Sequence, residues 1–256
     1  MSSPSKKPGV PVKGWNFFVG AVGIPGTGKS HAIARRVAEE STRIAAYNLV
    51  HDPTGSYDEA DYQKIWQAHG GTFRYPNARA ALRGIASNPG GAHIIDAIDG
   101  GEVLEAGIKL AATSLGRAKD GHYHPVVVTL DEASGADGAD SRKLSQEWLE
   151  AIVQRRHLGI GVAWTAQSTY VAHRMFLMQS TELYVFRQCD PADLRRLRAV
   201  GMSLEETAEV AELEDRRALV VVKNRVVGHL EPTAKHVTPA ESQEKKSPKS
   251  SAKTKP

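Results

Sequence analysis

A run near the amino terminus, Gly23 to Ser30, matches the pattern Gly-x-x-x-x-Gly-Lys-[Ser/Thr] without a mismatch. A triphosphate carries dense negative charge, and backbone N–H groups can surround it only where glycines let the loop fold back tightly. The spacing predicts that Lys29 reaches the β- and γ-phosphates and that the Ser30 hydroxyl ligates magnesium. We therefore predict a site for ATP and Mg²⁺ formed by Gly23, Ile24, Pro25, Gly26, Thr27, Gly28, Lys29, Ser30 and His31.

Two adjacent carboxylates, Asp131 and Glu132, follow an apolar, β-branched run at 126–130. Such a run is typical of a central parallel strand, which would carry both acids to one edge of a sheet. There Asp131 can hold magnesium, directly or through water, and Glu132 can polarise the attacking water as a general base. An acidic start to an ordinary loop is the plainer interpretation, but the phosphate-binding pattern upstream favours a site. The separate acidic pair also favours hydrolysis by water over transfer to a small-molecule acceptor.

A third set of polar residues flanks the predicted strand 161–166. Gln167 follows this strand, and if the strand lies beside the one that carries Asp131, the Gln167 amide faces the γ-phosphate. The preceding helix ends in two arginines and a histidine at 155–157, with Gly159 close behind. Arginines at a helix carboxyl end interact favourably with the helix dipole, which is one interpretation. The other is that one arginine stabilises transition-state charge in a neighbouring subunit.

Alternating strands and helices would position these residues. The predicted strands are 16–22, 43–50, 125–130, 161–166 and 182–187, with a hairpin formed by 218–222 and 226–230. The predicted helices are 30–40, 62–69, 77–87 and 102–116, and a further helix carries Leu144, Trp148 and Ile152 at every fourth position. This alternation predicts an α/β fold with a mostly parallel sheet flanked by helices and an edge hairpin near the C-terminus.

Charge and composition divide the chain into three parts. The 256 residues carry a formal net charge of +4, but residues 233–256 hold six lysines and two glutamates, so the remainder is near neutral. That segment is rich in lysine, serine and proline, and it cannot bury enough apolar surface to become ordered. We expect a flexible N-terminus over 1–14, a P-loop ATPase domain over 15–232 and a disordered basic tail over 233–256.

Several other kinds of protein are disfavoured by the same composition. Cys189 is the single cysteine, so an intramolecular disulfide and a cysteine-based metal site are both excluded. No apolar run reaches the ~18 residues of a membrane span, and the N-terminus lacks the apolar stretch of a signal peptide. His122 and His124 do not have convincing zinc-ligand spacing. We therefore expect a protein of the cytosol.

The segment from Gln154 to Ser168 resembles the HerA–FtsK superfamily of DNA-pumping ATPases. It has a glycine-preceded strand ending in Thr-x-Gln, after a basic helix end with Arg-x-x-Gly spacing. The tripeptide His51-Asp52-Pro53 and the acidic turn after the strand 182–187 resemble further elements of that superfamily. The similarity covers roughly 15–232, only loosely over 58–120. Within this superfamily, the compact size of the chain most resembles that of genome-packaging ATPases of membrane-containing icosahedral viruses.

This resemblance implies an ASCE/RecA-like P-loop fold and a homo-oligomeric ring, a hexamer, that hydrolyses ATP and moves double-stranded DNA of any sequence. A capsid vertex or a viral membrane protein would be a further partner, and the host cytoplasm or the virion vertex the location. Arg155 and Arg187 are alternatives for the arginine acting in trans. The implied catalytic residues are Lys29, Glu132, Gln167 and Arg156, and the implied metal ligands are Ser30 and Asp131.

Other functions stay open. Assembly ATPases of filamentous phages are similar in their short N-terminus and an Arg-His-x-Gly element, but they normally have a membrane span, which favours packaging. A nucleotide-gated scaffold that binds ATP without translocating anything is a second alternative, and a small-molecule kinase a more distant one. Arg195, Arg196 and Arg198 are close together, and an exposed basic helical face is favoured over a pore contact.

Overall fold

A computed structural model of the chain describes residues 15–87, 90–96, 100–117, 123–133 and 146–231, which form one sheet with helices on both faces. The strands are β1 (Phe18–Val22), β2 (Tyr47–His51), β3 (Thr72–Tyr75), β4 (Ala92–Ile95), β5 (Val126–Leu130), β6 (Ile160–Ala166), β7 (Glu182–Phe186), β8 (Ala218–Val222) and β9 (Arg225–Leu230). The helices are α1 (Lys29–Ile44), α2 (Ala60–Gln67), α3 (Ala78–Ser87), α4 (Gly100–Gly116), α5 (Gln146–Leu158), α6 (Arg174–Gln179), α7 (Pro191–Ala199) and α8 (Leu204–Glu212).

The strands lie in the order β3-β4-β2-β5-β6-β1-β7-β8-β9 across the sheet. The first seven in this order are parallel, whereas β8 and β9 are added antiparallel at one edge. β6 separates β5 from β1, because Trp164 pairs with both Leu130 and Gly20. The parallel strands all end at the same edge, where ligands bind in open α/β sheets.

Alternate residues of the central strands face two hydrophobic cores. On one face Phe18 and Val22 pack in the core formed with α3 to α8. On the other face Val19 and Ala21 pack in the core formed with α1 and α2. Gly20 lies in the middle of β1, close to the indole of Trp164 in β6. A Cβ added at Gly20 would lie 2.3 Å from this indole, so the close contact requires glycine. Burial on both faces explains why these strands are almost entirely apolar.

The predicted elements are largely confirmed, but the start of the second strand is wrong. Residues 43 and 44 belong to α1, and β2 begins at Tyr47. Arg43 continues the helix, with an ion pair to Glu40 at 2.5 Å, and Ala45 ends it in a left-handed conformation with φ 55°. The sequence predicts only helices over 58–120, whereas the structure also has β3 and β4 there. Leu144 lies outside the described residues.

The predicted edge hairpin is confirmed. β8 and β9 pair antiparallel and are joined by Lys223 and Asn224, with φ angles of 49° and 61°. Two successive left-handed residues give the turn twist that matches a two-residue hairpin. Arg225 belongs to β9 rather than to the turn.

Candidate active site

The predicted phosphate-binding loop joins β1 to α1 at the carboxyl edge of the parallel strands. Gly23 N donates to the last carbonyl of β6 at 3.2 Å, and Ile24 N donates to Arg187 O, just beyond β7, at 3.0 Å. Gly26 and Gly28 are left-handed, with φ 78° and 95°, a conformation that glycine adopts without steric cost. The loop is thus held between two strands in a conformation that requires its glycines.

Lys29, the first residue of α1, is only 7% exposed. Its Nζ donates to the carbonyl oxygen of Ile24, across the loop, at 3.0 Å. Burial lowers the pKa of the Lys29 ammonium, and attraction to Glu132 and Asp131 opposes that change. An ammonium that has lost water and is held by one neutral carbonyl would gain from charged oxygen acceptors. Lys29 is therefore suited to bind phosphate oxygens at the mouth of the loop.

The two predicted magnesium ligands, Ser30 and Asp131, lie together. Asp131 follows β5 and is 2% exposed. Thr165 of β6 donates to its Oδ1 at 2.8 Å. Burial raises the pKa of Asp131, and hydrogen bonds from Ser30 and Thr165 oppose the increase. A buried carboxylate beside a hydroxyl fits Mg²⁺, which typically takes one or two protein oxygens together with phosphate oxygens and water.

Glu132, the predicted base, has an unusual backbone conformation. Its φ is 58°, a left-handed value that is uncommon for a residue with a side chain. Its N–H donates to Thr165 Oγ1 at 2.8 Å, and the N–H of Ala133 donates to Thr165 O at 2.7 Å. Thr165 therefore fixes both acids of the pair. The sequence includes Thr165 only as the threonine of Thr-x-Gln, without assigning it this role.

Gln167 immediately follows β6, between the strand that leads to Asp131 and the strand that leads to the phosphate loop. The neighbouring arrangement of strands on which its prediction depends is therefore confirmed. Its side chain is exposed, and its backbone carbonyl accepts a hydrogen bond from the buried Gln188 at 3.2 Å. Its contact with the γ-phosphate stays a prediction.

The loop after β2 also reaches the metal site. Asp52 accepts hydrogen bonds from the N–H groups of Ser56 and Tyr57, both at 3.0 Å. The Thr54 hydroxyl lies 3.3 Å from Asp52 Oδ1 and 3.4 Å from Asp131 Oδ2, so it can donate to either carboxylate. Asp52 appears in the sequence as part of an Asp-Pro pair, whereas nothing there indicates Thr54. This loop is a further wall of the site.

A cavity of about 370 Å³ extends from the loop toward β9. His31 and Tyr62 line it, and their rings meet edge to face with centroids 5.9 Å apart. Arg216 lines it too, and its Cγ would lie 3.6 Å from a Cβ at Gly28. The cavity continues to Leu230, which leaves room for a nucleoside beyond the phosphates. Sequence reasoning missed Tyr62 and Arg216, because both are distant from the loop along the chain.

The predicted binding residues divide into those that only form the loop and those that also line the cavity. Thr27 and Ile24 support the loop, since the Thr27 hydroxyl donates to Ile24 O at 2.8 Å. Pro25 is exposed and Gly23 is buried against Phe186. Those that line the cavity are Gly26, Gly28, Lys29, Ser30 and His31.

Solved structures of viral genome-packaging NTPases are similar to this chain. B204 of Sulfolobus turreted icosahedral virus 2, in complex with sulfate, matches with a TM-score of 0.64 at 18% identity, over 86% of this chain and 98% of that one. Its complex with ATP-γS gives 0.63 at 19% identity, over 86% and 98%. The DNA-packaging ATPase B204 of Sulfolobus turreted icosahedral virus gives 0.61 at 19%, over 84% and 97%. The chain has the B204 fold. No protein-family model and no curated protein sequence matches it.

The three candidate trans-acting arginines occupy different places in the B204 fold. Arg155 is 4% exposed and donates to the Asn16 side chain at 3.0 Å, so it is a structural residue. Arg187 lies beside the phosphate loop of its own subunit and pairs with Asp215 at 2.8 Å. Arg156 is exposed at the end of α5, next to the start of β6. The length of β6, about 20 Å, separates Arg156 from the phosphate loop of the same chain, so its trans-acting role stays a prediction.

Two further observations concern membrane-spanning helices and metal-binding clusters. Among the residues that the structure describes, no helix is long and apolar enough to cross a membrane. The same residues contain no group of three or more His, Cys, Asp or Glu that could hold a metal. His122 lies outside the described ranges, and His124 Nδ1 forms a hydrogen bond with the carbonyl oxygen of Ala45 at 2.8 Å.

Replacing Thr165 by valine is expected to slow ATP hydrolysis by about 10- to 100-fold, the effect of losing a hydrogen bond to a charged group. Valine keeps the β-branched shape but cannot donate to Asp131 or accept from Glu132. Thr129→Val in β5 is the matched control, because the Thr129 hydroxyl is buried without a hydrogen-bond partner in the described structure. Steady-state phosphate release measures both variants. Equal rates for the two would show that Thr165 does not organise the acids.

Proposed function

We propose that the chain is an ATP-hydrolysing motor that translocates double-stranded DNA, and that this DNA is a viral genome entering a preformed capsid. The observation that carries the proposal is the contact of Thr165 with both Asp131 and Glu132, beside the phosphate-binding loop. Such a site would supply a magnesium ligand and a base for water, as a hydrolase requires. The B204 fold supports the packaging part, because solved structures with this fold are genome-packaging NTPases.

Each residue of the site has a distinct role in the proposed hydrolysis. Lys29 leaves the Ile24 carbonyl and binds β- and γ-phosphate oxygens. Ser30 and Asp131 would hold magnesium, whose charge would neutralise the phosphate oxygens. Glu132 accepts a proton from the attacking water, and the Gln167 amide orients that water. The left-handed turn at Glu132 and its anchor on Thr165 fix the base relative to the metal ligand.

A ring of identical subunits would complete the site in trans. A cyclic head-to-tail interface sets one surface of each subunit against a different surface of the next. Arg156 is exposed and far from its own loop, so in such a ring it can reach the γ-phosphate of the neighbour. Positive charge there stabilises the transition state. We propose a hexamer on the resemblance to the HerA–FtsK superfamily.

The proposed cargo sets the kind of DNA contact. A packaging motor must accept any sequence, so its contacts should go mainly to phosphates, and DNA binding should weaken as salt rises. The motor would work in the host cytoplasm and at the virion vertex. There a capsid vertex protein or a viral membrane protein would hold it.

The rate of ATP hydrolysis with and without double-stranded DNA, together with the native mass, tests this function. We expect a ring-sized oligomer whose turnover rises several-fold when a long duplex is added, because hydrolysis and translocation are coupled. Turnover that ignores DNA would favour the nucleotide-gated scaffold or a filamentous-phage type of assembly ATPase. Phosphate appearing on an acceptor, without release into water, would favour a small-molecule kinase. A monomer at all concentrations would contradict the completion of the site in trans.

A further inference from the structure

The loop that follows Gln167 is fixed to α7 by one buried carboxylate. Asp193 of α7 is 4% exposed. Its Oδ1 accepts hydrogen bonds from the Ser168 hydroxyl at 2.6 Å, the Thr169 hydroxyl at 2.7 Å and the Tyr170 N–H at 2.9 Å. Three bonds to one buried oxygen make this a rigid junction. Any displacement of Gln167 should therefore be transmitted to α7.

The outer side of the same junction carries a pair of arginines. Arg196 of α7 donates to the carbonyl oxygen of Tyr170 at 2.6 Å, and its guanidinium lies 5.9 Å from the centre of the Tyr170 ring. Arg174, at the start of α6, is close enough that the two charges repel. Burial lowers the pKa of the Arg196 guanidinium, attraction to Asp193 and Tyr170 opposes that change, and repulsion from Arg174 adds a smaller decrease. Tyr170, which Arg196 contacts, is 57% exposed.

Neither arginine forms a salt bridge within the described part of the chain. No carboxylate there lies within 4.0 Å of the guanidinium nitrogens of Arg174 or Arg196. The Nε of Arg174 instead donates to the sulfur of Met178 at 3.1 Å, and the nearby Asp193 carboxylate already accepts three other bonds. Two like charges held together beside an exposed aromatic ring are suited to an anion that is shared between them.

We propose that Tyr170, Arg174 and Arg196 bind the phosphate backbone of double-stranded DNA, and that Asp193 couples this contact to the nucleotide through Gln167. The inference rests on the proposed motor function and names the surface by which that motor holds DNA. Guanidinium groups bind phosphates through paired N–H donors, and a tyrosine hydroxyl or ring can add a contact to phosphate or sugar. None of these contacts selects a base, as a packaging motor requires.

The coupling follows from the positions of the two ends. Gln167 lies at the carboxyl edge of the sheet between the phosphate loop and Asp131, and Gln188 also holds its carbonyl. The next three residues are tied to Asp193, and Arg196 is one helical turn further along α7. A γ-phosphate that moves Gln167 would therefore move Tyr170 and Arg196 together, by a continuous chain of bonds.

Fluorescence anisotropy with a labelled duplex tests the surface. The double variant Arg174→Ala/Arg196→Ala should bind DNA about 10-fold or more weakly at physiological salt, with a salt dependence reduced by about two phosphate contacts. Binding of a fluorescent ATP analogue checks that this variant is folded. The matched control is Arg79→Ala/Arg83→Ala on α3, which removes the same charge from exposed arginines elsewhere on the molecule and should bind as the wild type does.

The outcomes separate this inference from the proposed function. A wild-type protein that does not bind duplex would overturn both. Wild-type binding that is unchanged in the Arg174/Arg196 double variant would overturn only this surface. An equal loss in the α3 control would also overturn it, because the effect would then reflect total charge.

The coupling needs a second comparison, since Asp193 acts through the loop. For the wild type we expect DNA affinity to differ about 5-fold or more between the ATP-γS and ADP states. Asp193→Asn should abolish that difference, whereas a merely structural defect would weaken both states alike. Asp190→Asn, in the same helix, is the control, because Asp190 caps the helix by accepting from Ala192 N. A nucleotide-dependent difference that survives in Asp193→Asn would refute the coupling.

Discussion

Replacing Glu132 by glutamine is expected to reduce ATP turnover by about 10²- to 10⁴-fold, the usual contribution of a general base. Glutamine keeps the length and shape of the side chain, and it meets the same backbone cost at φ 58°. It cannot accept a proton from water at neutral pH. The change also removes a negative charge that attracts Lys29, which frees this ammonium for phosphate and should leave ATP affinity unchanged or higher. Single-turnover hydrolysis and titration with a fluorescent ATP analogue measure the two effects separately.

The control for this variant is Glu59→Gln. Glu59 lines the same cavity and is exposed, so the substitution removes the same charge from the same cleft without touching the acidic pair. Its turnover should be close to that of the wild type. A normal rate in Glu132→Gln would move the base elsewhere, and an equal loss in both variants would attribute the effect to charge alone.

The parts of the site that depend on neighbours in sequence could be predicted. The phosphate loop, the acids after β5 and the glutamine after β6 each follow a short apolar run, and a buried parallel strand must end where its apolar run ends. The alternation of strands and helices then brings the carboxyl ends to one edge. Which strands are neighbours is a property of the whole sheet, so the position of β6 between β5 and β1 could only be assumed.

The supporting residues could not be predicted, because their partners are distant along the chain. Thr165 contacts Asp131, and Asp193 contacts Thr169, by pairings that no local pattern specifies. β3 and β4 escaped prediction for another reason. They are four-residue strands, and β4 contains a buried His93 that stacks at 5.2 Å on Phe73 of β3, so their composition does not look apolar.

The adjacent arginines at the end of α5 illustrate the same limit. The sequence alone does not show which of the two arginines is buried. In the structure Arg155 faces inward and lies 5.0 Å from the ring centre of Phe18, whereas Arg156 is exposed. The difference arises from the angle between successive residues of a helix and from the position of β1 beneath it. Only the packed structure therefore separates a structural arginine from a candidate for catalysis in trans.

Replacing Lys29 by alanine is expected to weaken ATP binding by about 30- to 1000-fold, which corresponds to about 2–4 kcal/mol for losing one member of a buried charged contact. The phosphates would then face Asp131 and Glu132 without the ammonium that lies near both acids. The folded state should tolerate the change, because burial already disfavours the charged lysine. Equilibrium binding of an ATP analogue measures the loss. Lys109→Ala on the exposed face of α4 is the control, and unchanged affinity in Lys29→Ala would refute the loop assignment.

Mixed rings then distinguish an arginine that acts in trans from one that acts in its own subunit. An Arg156→Ala subunit keeps an intact loop, and a Lys29→Ala subunit keeps an intact Arg156. When they are neighbours in the correct order, one complete site forms between them. Random mixing at equal amounts completes about a quarter of the interfaces of a cyclic ring, so activity should recover from two inactive preparations.

Arg187→Ala provides the comparison, because Arg187 lies beside the loop of its own subunit and pairs there with Asp215. A defect in the same subunit as the loop cannot be repaired by a neighbour, so mixing Arg187→Ala with Lys29→Ala should add nothing to the activity of Arg187→Ala alone. Recovery with Arg156→Ala and not with Arg187→Ala would identify the trans-acting residue. The absence of recovery with Arg156→Ala at any ratio would mean that its exposed position at the far edge of the sheet serves another purpose.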